Sequence, residues 1–96
     1  MNFEKFSELI QSESAPEGLS LLLLALWRDA RGDWSGAHEA AQEVEGADGA
    51  WVHAYLHRKE GDLANASYWY QQAGRSALTG ALDEEWELIA RELCTR

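Results

Sequence analysis

The sequence of 96 residues has few positions that would interrupt a helix or cross-link the chain, with one proline, Pro16, and one cysteine, Cys94. Scarce proline beside frequent Ala, Leu, Glu and Gln favours helix, so we expect an all-α fold without a sheet. A lone cysteine excludes an internal disulfide and any metal site built from several thiolates. Cys94 is therefore predicted to be a passive thiol in the last helical turn.

Basic residues are also scarce, because 8 Lys and Arg stand against 17 Asp and Glu, and the formal net charge is -9. Such a charge repels phosphate backbones and anionic lipids, so neither nucleic acid nor a membrane is expected as a partner. The longest apolar run, at residues 21–27, is far shorter than the roughly 20 residues of a membrane-spanning helix. No basic-then-apolar signal segment is visible at the N-terminus, so we expect a cytoplasmic location.

The chain length suits one domain with one core, which we expect to span residues 1–96. Apolar residues recur at helical spacing in six segments. The predicted helices run from Phe3 to about Ser12, from a start at Pro16 to a stop at Gly32, from Trp34 to Val44, from about Ala50 to Glu60, from Leu63 to Ala73, and from Leu82 to Leu93. Breaks are expected at residues 46–49 and in a loop at residues 75–80.

Six positions repeat at a separation of 29 residues. The positions Ala25, Gly32, Asp33, Ala37, Ala41 and Val44 recur as Ala54, Gly61, Asp62, Ala66, Tyr70 and Ala73. In each copy the glycine can end one helix, the aspartate can cap the next, and the alanines let two helices approach closely. The repeat therefore predicts two helical hairpins.

The second copy resembles the tetratricopeptide repeat, with matches to that family's small, turn, small, aromatic and small positions at Ala54, Gly61, Ala66, Tyr70 and Ala73. The first copy has Ala41 at the aromatic position, and the separation is about five residues below the family's usual 34. The resemblance implies a concave groove that binds protein segments. Because two repeats are fewer than the roughly three of a stable stack, the first and last helices are expected to act as caps.

A second resemblance is carried by the segment His-Ala-Tyr-Leu-His-Arg-Lys-Glu-Gly-Asp at residues 53–62, followed by Tyr-Trp-Tyr at residues 68–70. This segment is similar to one in a family of small bacterial and fungal proteins that has no assigned activity. It adds no expectation about chemistry.

One stripe of the fourth helix consists of Trp51, Tyr55 and Arg58, at helical spacing. The tetratricopeptide resemblance implies that this stripe faces the groove, and aromatic residues with arginine are typical of binding hot spots. In the alternative interpretation, the sixth helix covers the stripe through Trp86 and Ile89, and the protein's own C-terminal segment fills the groove.

The opposite stripe of the fourth helix carries His53 and His57 one turn apart, with Glu60 beyond them. Two imidazoles at this spacing can share a metal ion, and a carboxylate could join them. The HExxH order of metalloproteases is absent, and His38 on the third helix is the one other imidazole. Because two imidazoles and a flexible carboxylate are a thin coordination shell, we expect no metal ion and no cofactor.

A structural role for the same histidines is the simpler interpretation. Both would lie against the fifth helix and hydrogen-bond Asn65, Tyr68 or the indole of Trp69, since buried polar groups need partners. A small-molecule site that combines the histidines with Tyr55, Arg58 and Glu60 is the remaining alternative. No phosphate loop, Ser-His-Asp order or cysteine nucleophile motif is present, so no catalytic residue is assigned.

Two function classes follow from these patterns. The first is an interaction module that binds a protein segment or a second copy of itself, with a homodimer expected at micromolar or higher concentration. The second is a small-ligand or metal-binding protein that uses the His, Tyr, Trp and Arg residues of the fourth and fifth helices. The residues expected to bind a ligand or a partner are Trp51, His53, Tyr55, His57, Arg58, Glu60, Asn65 and Trp69. Histidines that open into a cavity would favour the second class, and histidines satisfied inside the helix pair would favour the first.

Overall fold

Six α-helices make up the computed structural model, which describes residues 1–77 and 80–96 and contains no strand within them. The helices are α1 (Phe3–Leu9), α2 (Leu21–Ala30), α3 (Trp34–Gln42), α4 (Ala47–Glu60), α5 (Leu63–Ala73) and α6 (Leu82–Cys94). The predicted all-α class with about six helices is confirmed. In the described part of the chain, each helix is too short or too polar to span a bilayer. The loop predicted at 75–80 includes residues 78 and 79, which lie outside the described residues.

The repeated Gly-Asp pair forms the turn of each hairpin. Gly32 and Gly61 adopt φ angles of 83° and 89°, a left-handed conformation that suits glycine and ends the preceding helix. Asp33 and Asp62 then cap α3 and α5 by accepting hydrogen bonds from backbone amides at 2.9 and 3.2 Å. The hairpins α2–α3 and α4–α5 pack across the small buried residues Ala25, Ala37, Ala54 and Ala66.

Two predicted helix boundaries at the N-terminal side are wrong. The second helix begins at Leu21 and not near Pro16, because the Ser20 hydroxyl caps it by accepting from the Leu23 amide at 3.2 Å. Gly18, with a φ of 85°, keeps the preceding residues out of the helix. The first helix ends at Leu9, about three residues before the predicted end at Ser12.

The connection between α3 and α4 is shorter than predicted. The third helix ends at Gln42 and not at Val44, and α4 begins at Ala47 and not near Ala50. The predicted break at Gly49 is wrong, because this residue lies buried in the first turn of α4. A Cβ atom on Gly49 would overlap the carbonyl of Val44, so this glycine permits a close backbone approach.

The first and last helices cover the two hairpins. α6 packs against α2 and α4, and α1 packs against α6. Phe6 of α1 stacks on Trp86 of α6 with ring centroids 5.9 Å apart, and the Trp86 indole donates to the Leu26 carbonyl at 3.1 Å. The Trp27 indole ties α2 to the end of α1 by donating to the Leu9 carbonyl at 2.8 Å. Both terminal helices therefore bury apolar faces that two repeats alone would expose.

Candidate functional site

The stripe of Trp51, Tyr55 and Arg58 is closed by neighbouring helices. Trp51 is 1% exposed and Tyr55 is 2% exposed. The Trp51 indole and the Arg58 guanidinium donate to the Glu85 carboxylate of α6 at 3.3 and 2.8 Å. Of the residues expected to cover the stripe, Ile89 is fully buried, but Glu85 supplies the polar contacts. Trp51 and Arg58 hold α6 in place and Tyr55 donates to Asp29 of α2, so the groove interpretation has no open surface at this stripe.

Three histidines meet on the other side of α4. His38 of α3 joins His53 and His57 of α4, and we name these residues the histidine cluster. The Nε2 atoms of His38 and His53 are 2.9 Å apart, and one ring nitrogen from each of the three histidines lies within 4.8 Å of one from each of the others. The sequence showed the pair on α4, but only the packing of α3 on α4 adds the third imidazole.

Two indole rings fix the orientation of the histidine cluster. Trp69 of α5 stacks on His53 with centroids 4.1 Å apart and planes 10° apart. Trp34 of α3 stacks on His38 at 5.1 Å, and its own indole N–H donates to the Leu56 carbonyl at 2.8 Å. Rings held between large aromatic planes lose little further rotational freedom when they bind a ligand.

Glu60 orients the third ring of the cluster. Its Oε1 lies 2.7 Å from Nδ1 of His57, one helical turn away on α4. An ionised carboxylate only accepts hydrogen bonds, so Nδ1 of His57 carries a proton, and in the neutral form of the ring the lone pair lies on Nε2. A carboxylate behind a histidine is the usual arrangement around metal-binding imidazoles.

Burial keeps two rings of the cluster uncharged near neutral pH. The pKa of His53 is lowered to about 4 by burial, and also by the neighbouring His38 and His57. The pKa of His38 is lowered by burial and by His57, while Glu60 and Glu39 oppose that shift. Neutral imidazole is the form that offers a lone pair to a metal ion.

The predicted hydrogen bonds between the histidines and α5 are wrong. Within residues 1–77 and 80–96, neither His53 nor His57 hydrogen-bonds Asn65, Tyr68 or Trp69. The Asn65 side chain bonds the helix cap Asp62, Tyr68 is exposed, and Trp69 presents its ring face instead of its N–H. Their partners are His38 and Glu60.

The eight residues predicted for a site lie in separate places. Trp51, Tyr55 and Arg58 contact partners on α6 and α2, whereas His53, His57, Glu60 and Trp69 belong to the histidine cluster and its surroundings; Asn65 contacts neither group. A combined small-molecule site of histidines, Tyr55 and Arg58 is therefore not formed. His53 and Trp69 do line a cavity of about 300 Å³ beside the α3–α4 connection. His53 is thus both buried and next to open space.

Comparison with known proteins adds no assignment, because no protein-family model, curated protein or solved structure matches the chain. The resemblances to the tetratricopeptide repeat and to the small bacterial and fungal family stay predictions from the residues that carry them. The interaction module, the homodimer and the cytoplasmic location likewise stay predictions.

Proposed function

We propose that this protein binds a divalent transition-metal ion of the zinc type through His38, His53 and His57. One observation carries the proposal: each of these side chains places a ring nitrogen within 4.8 Å of the other two. The expectation of no metal rested on a shell of two imidazoles, and His38 removes that objection. Imidazole nitrogen is a preferred ligand of zinc, copper, iron and nickel.

The spacing of the ring nitrogens of His38 and His53 is close to what a metal ion requires. Zinc–nitrogen bonds of about 2.0 to 2.1 Å in a tetrahedral arrangement separate two ligand nitrogens by about 3.3 Å. The Nε2 atoms of His38 and His53, at 2.9 Å, need to move apart by only a few tenths of an ångström. The ion takes the place of the proton that these two rings share.

The consequence of metal binding would be a link between the two hairpins. His38 belongs to the α2–α3 hairpin, whereas His53 and His57 belong to the α4–α5 hairpin. Three protein ligands leave a fourth position for water or another small ligand, as in catalytic zinc sites. The stacked rings of Trp34 and Trp69 and the carboxylate of Glu60 support the ligands from outside.

Thermal melting of metal-free protein with and without zinc tests the proposal. A ligand that binds only the folded state, present at about 100 times its Kd, stabilises by about 2.7 kcal/mol, which raises Tm by about 10 °C or more in a domain of this size. His38→Ala should abolish the rise, while Glu39→Ala at the neighbouring exposed position should keep it. Cobalt should give a visible absorption spectrum in the wild type and lose it in His38→Ala.

Two outcomes would contradict the proposal. One is a wild-type Tm that zinc leaves unchanged. The other is an equal zinc-dependent rise in His38→Ala, which would place the metal at a site without His38, such as His57, Glu60 and Asp62 or exposed carboxylates. The cobalt spectrum distinguishes binding at the histidine cluster from both outcomes, because aqueous cobalt and cobalt bound by three imidazoles differ in coordination geometry.

A further inference from the structure

A larger cavity, of about 410 Å³, lies between α1, α2, α4 and α6, on the side of α4 away from the histidine cluster. We name it the Asp29 cavity, since this carboxylate is the most buried charged group in its wall, at 3% exposure. Its wall consists of Phe3, Ser7, Ile10, Gln11, Asp29, Ala30, Tyr55, Lys59, Asp83, Trp86 and Glu87. Such a volume is typical of small-molecule sites.

Asp29 holds an ammonium group inside this cavity. Its Oδ1 accepts a hydrogen bond from Nζ of Lys59 at 2.9 Å, and its Oδ2 accepts from the Tyr55 hydroxyl at 2.7 Å. The Lys59 side chain is 39% exposed and reaches the buried carboxylate from the solvent side. A buried carboxylate is costly unless it is paired, so the position beside Oδ1 stabilises an ammonium group.

The remaining wall combines negative charge with apolar surface. Asp83 and Glu87 of α6 add two exposed carboxylates, of which Glu87 is paired with Arg91 at 2.8 Å. The rings of Phe3 and Trp86 supply the apolar part. The Phe3 ring already attracts a cation, because the Arg91 guanidinium lies 4.3 Å from its centroid.

We propose that the Asp29 cavity binds a small primary amine with an apolar body, whose ammonium group takes the place of Lys59 at Oδ1 of Asp29. In the free protein Lys59 is a tethered occupant of this position, and a ligand amine displaces it toward solvent. The aromatic wall from Phe3 and Trp86 receives the apolar body. Carboxylate, hydroxyl and aromatic face together select a cation over a neutral molecule of the same shape.

Titration with phenethylammonium, followed by amide and indole NMR signals of the protein, tests this site. The Trp86 indole signal is the reporter, since Trp86 lines the cavity and donates to the Leu26 carbonyl. We expect saturable shifts with phenethylammonium and at least about tenfold weaker binding of 2-phenylethanol, which lacks the charge. Equal binding of the two probes would overturn the proposal.

Lys59→Ala gives the sharper test, because it removes the tethered competitor and leaves Asp29 without its ammonium partner. We expect phenethylammonium to bind this variant at least about tenfold tighter than the wild type, and Lys5→Ala, at an exposed position on α1, to bind like the wild type. An affinity in Lys59→Ala no higher than in the wild type would refute displacement. If Lys59→Ala does not fold, Asp83→Asn provides the test, because Asp83 is exposed and its replacement leaves the core unchanged. We expect Asp83→Asn to bind phenethylammonium severalfold more weakly than the wild type. An unchanged affinity would refute the selection of the ligand by charge.

Discussion

The hydroxyl of Tyr70 lies 2.6 and 2.8 Å from the two carboxylate oxygens of Glu85, which is 1% exposed. The same carboxylate accepts hydrogen bonds from Trp51 and Arg58 of α4. The pKa of Tyr70 is raised by burial and by this carboxylate, so the phenol stays protonated and keeps its donor. One acidic side chain thereby joins α6 to both helices of the α4–α5 hairpin.

Replacing Glu85 should be among the most damaging single changes in the domain. Glu85→Ala leaves the Arg58 guanidinium without its buried counter-charge and three donors without an acceptor, and we expect a loss of about 3 to 5 kcal/mol in the free energy of unfolding. Urea denaturation measures it. The exposed neighbour Glu84 is the control, and Glu84→Ala should change stability by less than about 0.5 kcal/mol. Similar losses in both variants would show that Glu85 is not a buried anchor.

Two helical glycines should respond differently to the same substitution. Gly49→Ala places a methyl group against the Val44 backbone carbonyl, which cannot move independently, so we expect a loss of about 2 kcal/mol or more. Gly36→Ala meets mainly the Asp33 side chain, which can rotate away. Its cost is the loss of a helix cap, about 1 kcal/mol, partly offset by the helix preference of alanine. Equal stability of the two variants in urea would contradict the close approach of α4 to the backbone of the α3–α4 connection.

The architecture was predictable because its determinants are local. The pair Gly61-Asp62 ends one helix and caps the next through contacts within a few residues, and the repeat shows the same pair at Gly32-Asp33. The wrongly predicted helix boundaries also have local causes, which residue composition does not reveal. Glycine is typical of helix breaks in a sequence, yet Gly49 lies inside α4, where the backbone carbonyl of Val44, five residues earlier, leaves no room for a side chain.

The site was only half predictable. His53 and His57 share a helix, so their spacing follows from the sequence, but His38 reaches them only because α3 packs on α4. The burial of Glu85 and Asp29 could not be predicted from the sequence, since acidic side chains on amphipathic helices are normally exposed. Their burial depends on donors from helices far away in the sequence, such as Arg58 for Glu85.

Acid should destabilise the metal-free protein before most carboxylates titrate. The pKa of His53 is about 4 in the folded state and about 6.5 unfolded, so the unfolded chain takes up a proton first as the pH falls. Its contribution to stability is complete above pH 6.5 and declines toward pH 4, with an expected loss of about 1 to 2 kcal/mol between pH 7 and pH 5. The titratable groups next to His53 are His38 and His57, and both lower its pKa.

Urea denaturation at pH 7 and pH 5, in the presence of a chelator, measures this loss. His53→Gln should flatten the pH dependence, because its side chain does not titrate. A wild-type free energy of unfolding that is the same at both pH values would show that the ring is accessible to protons in the folded state.

Trp86→Ala should loosen the two terminal helices together. The ring packs on Phe3 and Phe6 of α1 and is hydrogen-bonded to α2 at Leu26, so its loss opens a gap between three helices. We expect a loss of about 3 kcal/mol and stronger self-association, measured by urea denaturation and sedimentation. A wild type that stays monomeric up to millimolar concentration would refute the predicted homodimer. If Trp86→Ala associates no more strongly than the wild type, α6 still covers the hairpins without this ring.

Glu60→Gln should weaken zinc binding without removing any ligand. The amide oxygen of Gln can still accept a hydrogen bond from Nδ1 of His57. It lacks the negative charge that raises the ring's basicity and holds its proton on Nδ1. We expect about 10-fold to 100-fold lower zinc affinity by calorimetric titration, with the three-imidazole cobalt spectrum retained. Glu39→Gln is the matched control, because Glu39 also carries a charge near His38 but makes no hydrogen bond to a ring of the cluster in the described structure. Equal effects of the two variants would mean that general electrostatic attraction, and not the orientation of His57, sets the affinity. An unchanged affinity in Glu60→Gln would remove Glu60 from the metal site while leaving the three histidines to be tested by His38→Ala.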